Sequence, residues 1–146
     1  MPGRLEGDLE EVLALTEGLW PRLRGAPILV TGGTGFMGCW LLEGVLHANS
    51  RFELNLSAVV LSRDPGAFAR KAPHLAQSPA LRVIQGDVIR FPEVEGEFTH
   101  LVHAATDASA RLLEEDPRRM FDTILAGTRG ALEFAERKGV QRALFL

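Results

Sequence analysis

A run of glycines between two apolar stretches is the part of this sequence best suited to do chemistry. Gly33, Gly35 and Gly38 fit the pattern G-x-G-x-x-G, and Gly32, Gly35 and Gly38 fit the pattern T-G-x-x-G-x-x-G. An apolar stretch at 28–30 precedes the run and an amphipathic stretch follows it, which is the strand–turn–helix context of a dinucleotide site. Glycines let the backbone approach phosphate oxygens, and the next helix offers unpaired N–H groups. The run therefore predicts a pyrophosphate site, and a tight turn without a ligand is the alternative.

The elements that must position this run alternate between strand and helix. The predicted strands are 28–31, 55–61, 81–85, 100–103 and 142–146, and the predicted helices are 36–48, 65–71 (with an extension to 75 as the alternative) and 117–138. Asp116 before Pro117 predicts a helix cap, and Gly139 predicts a left-handed stop. Short apolar strands that alternate with helices indicate an α/β fold with a doubly wound parallel sheet, most naturally in the order 3-2-1-4-5. We expect this sheet to be truncated after its fifth strand.

Residues 1–25 are predicted to be an N-terminal extension, and residues 26–146 an incomplete dinucleotide-binding domain. In the extension, Asp8 and Glu11 fit a capping box, and apolar residues recur at helical spacing until Pro21 ends the helix. This helix most simply packs on the domain. A helix that binds a partner is the alternative.

Composition narrows the class of protein. Of the 146 residues, 46% are apolar and 24% charged, and the formal net charge is −3, which gives no electrostatic case for binding nucleic acid or an anionic membrane. No apolar run reaches the length of a spanning helix. Cys39 is the single cysteine, so we expect no disulfide framework and a reducing, cytoplasmic setting. The four histidines show no metal-ligand spacing, and His103, Asp107 and Ser109 lack the context of a hydrolase triad.

Several motifs, in order, resemble the extended short-chain dehydrogenase/reductase family, the NAD-dependent epimerases and dehydratases that mostly act on nucleotide sugars. Residues 31–38 are similar to the cofactor loop of that family. Residues 86–88 (Gly-Asp-Val) follow the third strand, and 103–105 (His-Ala-Ala) follow the fourth, as in the family. Gly-Thr at 127–128, Leu-Glu-Phe-Ala at 132–135 and Gly-Val at 139–140 match its next helix. The resemblance covers 28–146, and it departs at Ile124, where the family usually has asparagine.

The resemblance implies roles for individual residues. Asp87 would accept a hydrogen bond from the adenine amino group beside the backbone of Val88, and the small Ala104 and Ala105 would line the nicotinamide-side ribose. The predicted cofactor-binding residues are Gly32, Thr34, Gly35, Phe36, Met37, Gly38, Ser62, Arg63, Asp87, Val88, His103, Ala104 and Ala105, with Phe36 and Met37 acting through backbone N–H groups. The alternatives are a turn-forming role for Asp87 and close packing for the alanines.

The end of the second strand leaves the choice between NAD and NADP open. Arg63 would hold a 2′-phosphate or stack on adenine, and Asp64 would accept from a ribose hydroxyl, although its place before Pro65 first indicates a helix cap. Local chemistry slightly favours NADP, whereas the family's sugar epimerases and dehydratases favour NAD.

The chain contains no tyrosine, whereas hydride transfer in the resembled family needs a Tyr-x-x-x-Lys pair. We therefore predict no catalytic residue and no metal site here, and a segment that binds the cofactor without catalysis. We expect it to be the N-terminal part of a longer oxidoreductase, in which alone a nucleotide-sugar-like substrate binds. A stand-alone dinucleotide-sensing module that acts through a partner is the alternative. The exposed apolar last strand predicts a homo-oligomer.

Overall fold

The computed structural model describes residues 2–106 and 110–146. Its helices are α1 (Pro2–Thr16), a 3₁₀ turn (Trp20–Leu23), α2 (Phe36–Phe52), α3 (Pro65–Lys71), α4 (Pro73–Ala76), α5 (Ala110–Glu115) and α6 (Pro117–Lys138). Its strands are β1 (Pro27–Thr31), β2 (Ser57–Ser62), β3 (Leu81–Gln85), β4 (His100–His103) and β5 (Arg142–Phe145).

The five strands form one parallel sheet in the order β3-β2-β1-β4-β5, which confirms the predicted fold. In the central pairings, Thr31 at the end of β1 lies opposite Leu61 of β2 and His103 of β4. Because all strands run in one direction, their carboxyl ends meet at one edge. In open α/β sheets the ligand crevice lies at that edge, where the strand order reverses, here between β1 and β4.

The sheet is covered on both faces, which explains why its strands are nearly continuous apolar runs. Ile28 and Val30 of β1 point to one core, with α2, α3 and α4, whereas Leu29 points to the other. The second core is built around Phe134 of α6, whose ring lies 5.4 Å from the rings of both Phe91 and Phe98. This two-sided packing holds α2 and α6 against the strands whose ends frame the crevice.

The N-terminal helix packs on the domain, but its predicted bounds were wrong. Asp8 lies inside α1 rather than at its cap, because the residues before it continue the helix from Pro2, a residue favoured in a first turn. The helix ends at Thr16, whose hydroxyl accepts a 2.8 Å hydrogen bond from the indole of Trp20. Of the apolar residues that recur at helical spacing, Leu9 and Leu13 are buried, whereas Val12 and Leu19 are exposed.

The bounds of β2 and α2 also differ from the predictions. The second strand begins at Ser57 rather than at 55, because Asn55 has a left-handed backbone with φ of 52°. Helix α3 has its predicted bounds, and the alternative extension to 75 was wrong, because Pro73 disfavours a helical backbone at Ala72 and α4 is a separate turn. Helix α2 continues four residues beyond the predicted end, and α5 was not predicted.

Candidate functional site

The turn after β1 contains two glycines, Gly32 and Gly38, at which a side chain would overlap the backbone. Gly32 has φ of +71°, and a Cβ at this position would overlap the carbonyl of Ala104 at the end of β4. A Cβ on Gly38 would overlap the carbonyl of Gly32, and the Gly35 N–H donates to that same carbonyl over 3.1 Å. The turn therefore folds tightly between the ends of β1 and β4 and the first turn of α2.

A lysine from the neighbouring crossover holds the outer side of this glycine turn. Lys71, the last residue of α3, donates from Nζ to the carbonyl of Thr34 over 2.8 Å. The thiol of Cys39 in α2 lies 3.7 Å from the same carbonyl. With its carbonyl turned to these two groups, Thr34 is tied to both the first and the second crossover.

A buried hydrogen bond joins the strand ends beneath the turn. The hydroxyl of Thr31 and Nδ1 of His103 lie 2.7 Å apart, and both residues are buried. Burial lowers the pKa of His103 below its ordinary value of 6.5, so the ring is neutral at pH 7. This pair fixes the ends of β1 and β4 relative to each other.

An open cleft of about 240 Å³ lies at the carboxyl ends of the strands, above the glycine turn. Its described lining residues are Gly32, Thr34, Gly35, Leu61, Ser62, Arg63, Gly86, Asp87, Val88, Ile89, Ala104, Ala105, Thr106, Arg119 and Thr123. Four strand ends and the start of α6 thus contribute to one cavity. Two of the three lining residues of the glycine turn, Gly32 and Gly35, have no side chain, which allows a pyrophosphate to approach the backbone closely.

The loop after β3 places a carboxylate at the edge of this cleft. The Asp87 side chain accepts a 3.0 Å hydrogen bond from the Ile89 N–H, which orients the carboxylate and leaves acceptor capacity on the group. Helix α6 packs closely behind this loop: a Cβ added to Gly127 would lie only 3.1 Å from Cγ2 of Val88. Gly127, the glycine of the predicted Gly-Thr motif, therefore allows α6 to pack against Val88 beside the cleft.

Nine of the thirteen predicted cofactor-binding residues line this cleft: Gly32, Thr34, Gly35, Ser62, Arg63, Asp87, Val88, Ala104 and Ala105. The other four lie next to it. Phe36 and Met37 belong to the first turn of α2, and their side chains are exposed. The role of their backbone N–H groups stays a prediction. Gly38 packs beneath the turn, and His103 is buried under it.

Arg119 and Thr123 of α6 also line the cleft, although the sequence did not single them out. Arg119 is exposed, but its helix begins at the crevice. No local motif predicts that these two residues line the cleft. Their position follows from the way α6 meets the strand ends. Leu61, Gly86, Ile89 and Thr106 complete the lining as neighbours of predicted residues. Asp107 and Ser109 lie outside the described residues.

The charged groups at the cleft favour an anionic ligand. Among the lining residues that the structure describes, Arg63, Asp87 and Arg119 are ionisable, which gives two cations to one carboxylate. In the described parts of the chain, no group of three or more histidine, cysteine, aspartate or glutamate side chains is placed to hold a metal ion. Nor is any described helix both long and apolar enough to cross a membrane.

A parallel sheet in this order, with a glycine turn between its first strand and first crossover helix, defines a Rossmann-type dinucleotide-binding domain. A model of the NAD dependent epimerase/dehydratase family matches residues 28–146. The chain therefore belongs to this family, which confirms the resemblance seen in its motifs. No curated protein was found to match the chain.

Solved structures similar to this chain include a dehydratase and an epimerase. The dTDP-glucose 4,6-dehydratase DesIV from Streptomyces venezuelae, solved with NAD and TYD bound, is 25% identical with a TM-score of 0.63, over 80% of this chain and 38% of its own. A UDP-galactose 4-epimerase has the same identity and TM-score, over 82% of this chain and 37% of its own. Pen from Bacillus thuringiensis, at 20% identity and a TM-score of 0.69, shares the fold over 84% of this chain and 38% of its own. The chain thus spans less than two fifths of the length of these structures.

Proposed function

We propose that this chain is the NAD(P)-binding portion of an oxidoreductase similar to nucleotide-sugar epimerases and dehydratases. The observation that carries the proposal is the glycine turn of β1, in which Gly32 and Gly38 leave no room for a side chain, and which opens onto a cleft at the strand ends. The family match and the NAD-bound dehydratase support a nicotinamide dinucleotide as the ligand.

The residues around the cleft fit the two halves of such a ligand. Gly32 and Gly35 would let the pyrophosphate approach the backbone, and the first amides of α2 (Phe36 and Met37) would donate to it. Asp87, whose carboxylate is held by the Ile89 N–H, would accept from the adenine amino group. Ala104 and Ala105 would lie against the nicotinamide-side ribose, since they line the cleft at the end of β4 without large side chains.

The nicotinamide, when bound, would exchange a hydride with a substrate. The 146 residues contain no tyrosine for the proton transfer that accompanies this exchange in the family. We therefore infer that these residues bind and orient the cofactor, and that they do not catalyse by themselves. For the whole protein, we propose a nucleotide-sugar substrate, a homo-oligomeric state and a cytoplasmic location.

Calorimetric titration of NAD⁺, NADH, NADP⁺ and NADPH into the chain tests this function, with Asp87→Asn as the variant. Asparagine keeps an acceptor for the Ile89 N–H but turns an amide donor toward the adenine amino group. Because one hydrogen bond contributes about 1 kcal/mol, we expect a loss of about fivefold to tenfold in affinity for all four ligands. Asp122→Asn, on the exposed surface of α6, is the matched control and should leave the affinity unchanged. Absence of binding by the wild-type chain would refute the function.

A further inference from the structure

We propose that this site prefers NADP(H) over NAD(H), and that Arg63 is the residue that binds the 2′-phosphate. The inference rests on the proposed function and names the cofactor that the sequence left open. In a doubly wound sheet, the ribose next to adenine lies at the end of the second strand, beside the glycine turn. Ser62 and Arg63 occupy that position and line the cleft.

The acidic residue nearest the end of β2 caps a helix and does not line the cleft. A ribose 2′-hydroxyl is usually bound by a carboxylate at the end of β2, and the same carboxylate repels a 2′-phosphate. Here the nearest candidate is Asp64, whose carboxylate accepts a 2.8 Å hydrogen bond from the Ala67 N–H and caps α3. The Asp64 N–H donates to the Ser62 hydroxyl over 3.2 Å, a second local hydrogen bond that holds Asp64 at the start of α3. Asp64 is not among the residues that line the cleft.

Arg63 brings a positive charge to the end of β2, where the 2′-phosphate would lie. A guanidinium can present several donors to one group of oxygens, which suits a phosphate. The Lys71 ammonium is fixed on the glycine turn by its 2.8 Å hydrogen bond to the Thr34 carbonyl, and Thr34 lines the same cleft as Arg63. Among the described lining residues, the carboxylate is that of Asp87, which lies in the loop after β3 and not at the end of β2. Among the lining residues at the end of β2, Arg63 is therefore the cation that a 2′-phosphate would meet.

The test compares the Kd values of NADP⁺ and NAD⁺ by calorimetry for the wild-type chain, Arg63→Gln and Arg82→Gln. Charge-assisted hydrogen bonds predict that the wild type binds NADP⁺ about tenfold or more tightly than NAD⁺. We expect Arg63→Gln to bring this ratio close to one. Arg82→Gln, which removes an exposed cation bonded to the Glu95 carbonyl away from the cleft, should keep the wild-type ratio. Adenosine 2′,5′-bisphosphate should also compete better than adenosine 5′-monophosphate.

The outcomes separate this inference from the proposed function. If NAD⁺ binds as tightly as NADP⁺ or more tightly, the cofactor preference is wrong while the dinucleotide site stands. If Arg63→Gln weakens both ligands equally, Arg63 stacks on adenine rather than binding the 2′-phosphate, and its assignment is overturned. If neither ligand binds, the proposed function fails together with the inference.

Discussion

Gly32 shows how a single residue shapes the site. Its left-handed backbone and its contact with the Ala104 carbonyl exclude any side chain. We predict that Gly32→Ala lowers the free energy of unfolding by at least about 1 kcal/mol, because the residue meets both backbone strain and overlap. Gly44→Ala is the matched control: nothing lies within 4 Å of its added Cβ inside α2, so it should stabilise the helix by about 0.5–1 kcal/mol. Urea unfolding of both variants measures the difference, and equal stabilities would contradict this reading of the turn.

His103 should make stability depend on pH. Because burial lowers its pKa in the folded chain below 6.5, the unfolded chain binds more protons just below that pH. We therefore predict that the free energy of unfolding falls as the pH drops below 6.5, and that this fall levels off once the folded histidine is protonated. Burial and Arg142 also lower the pKa of His100, which adds to the same slope. Urea titrations between about pH 7.5 and about pH 5.5 should give a shallower slope for His103→Gln than for the wild type. An identical slope would mean that the buried ring is not the source.

Among the secondary-structure elements, α6 begins with a side-chain cap. The Asp116 carboxylate accepts a 3.0 Å hydrogen bond from the Arg119 N–H, and Pro117 occupies the first helical position. We predict that Asp116→Ala lowers the free energy of unfolding by about 1 kcal/mol. Asp122→Ala, an exposed change inside the same helix, should be neutral or slightly stabilising, because alanine favours helix. Equal thermal stabilities of the two variants would contradict the capping role.

The signals that predicted elements correctly are those that act within a few residues. The caps at Asp64 and Asp116 and the left-handed stop at Gly139 depend on nearby backbone groups, and the structure has all three. The predicted start of β2 was wrong, because the hydrophobic pattern of the sequence does not reveal the left-handed backbone of Asn55. Arg119 was missed as a cleft residue, since its position depends on how α6 meets strands distant in sequence.

For the whole molecule, the sheet has an apolar edge at β5, as the sequence predicted. Leu144 and Phe145 are exposed there, and Phe121, Leu125 and Leu132 are exposed on α6. We predict that the 146-residue chain self-associates at high concentration, because an open apolar strand pairs readily with another chain. Light scattering after size exclusion measures this. Leu144→Lys should lower the average mass, whereas Leu15→Lys, on the exposed side of α1, should not. A monomer at every concentration would contradict the prediction.

The central claim is that the glycine turn and the ends of β3 and β4 bind a dinucleotide together. A titration of NADPH into isotopically labelled protein, followed by amide NMR, tests it most directly. We expect the largest shifts at Gly32, Gly35, Asp87 and Ala104, with none along the buried side of α1. No shifts, or shifts confined to residues outside the cleft, would contradict the account.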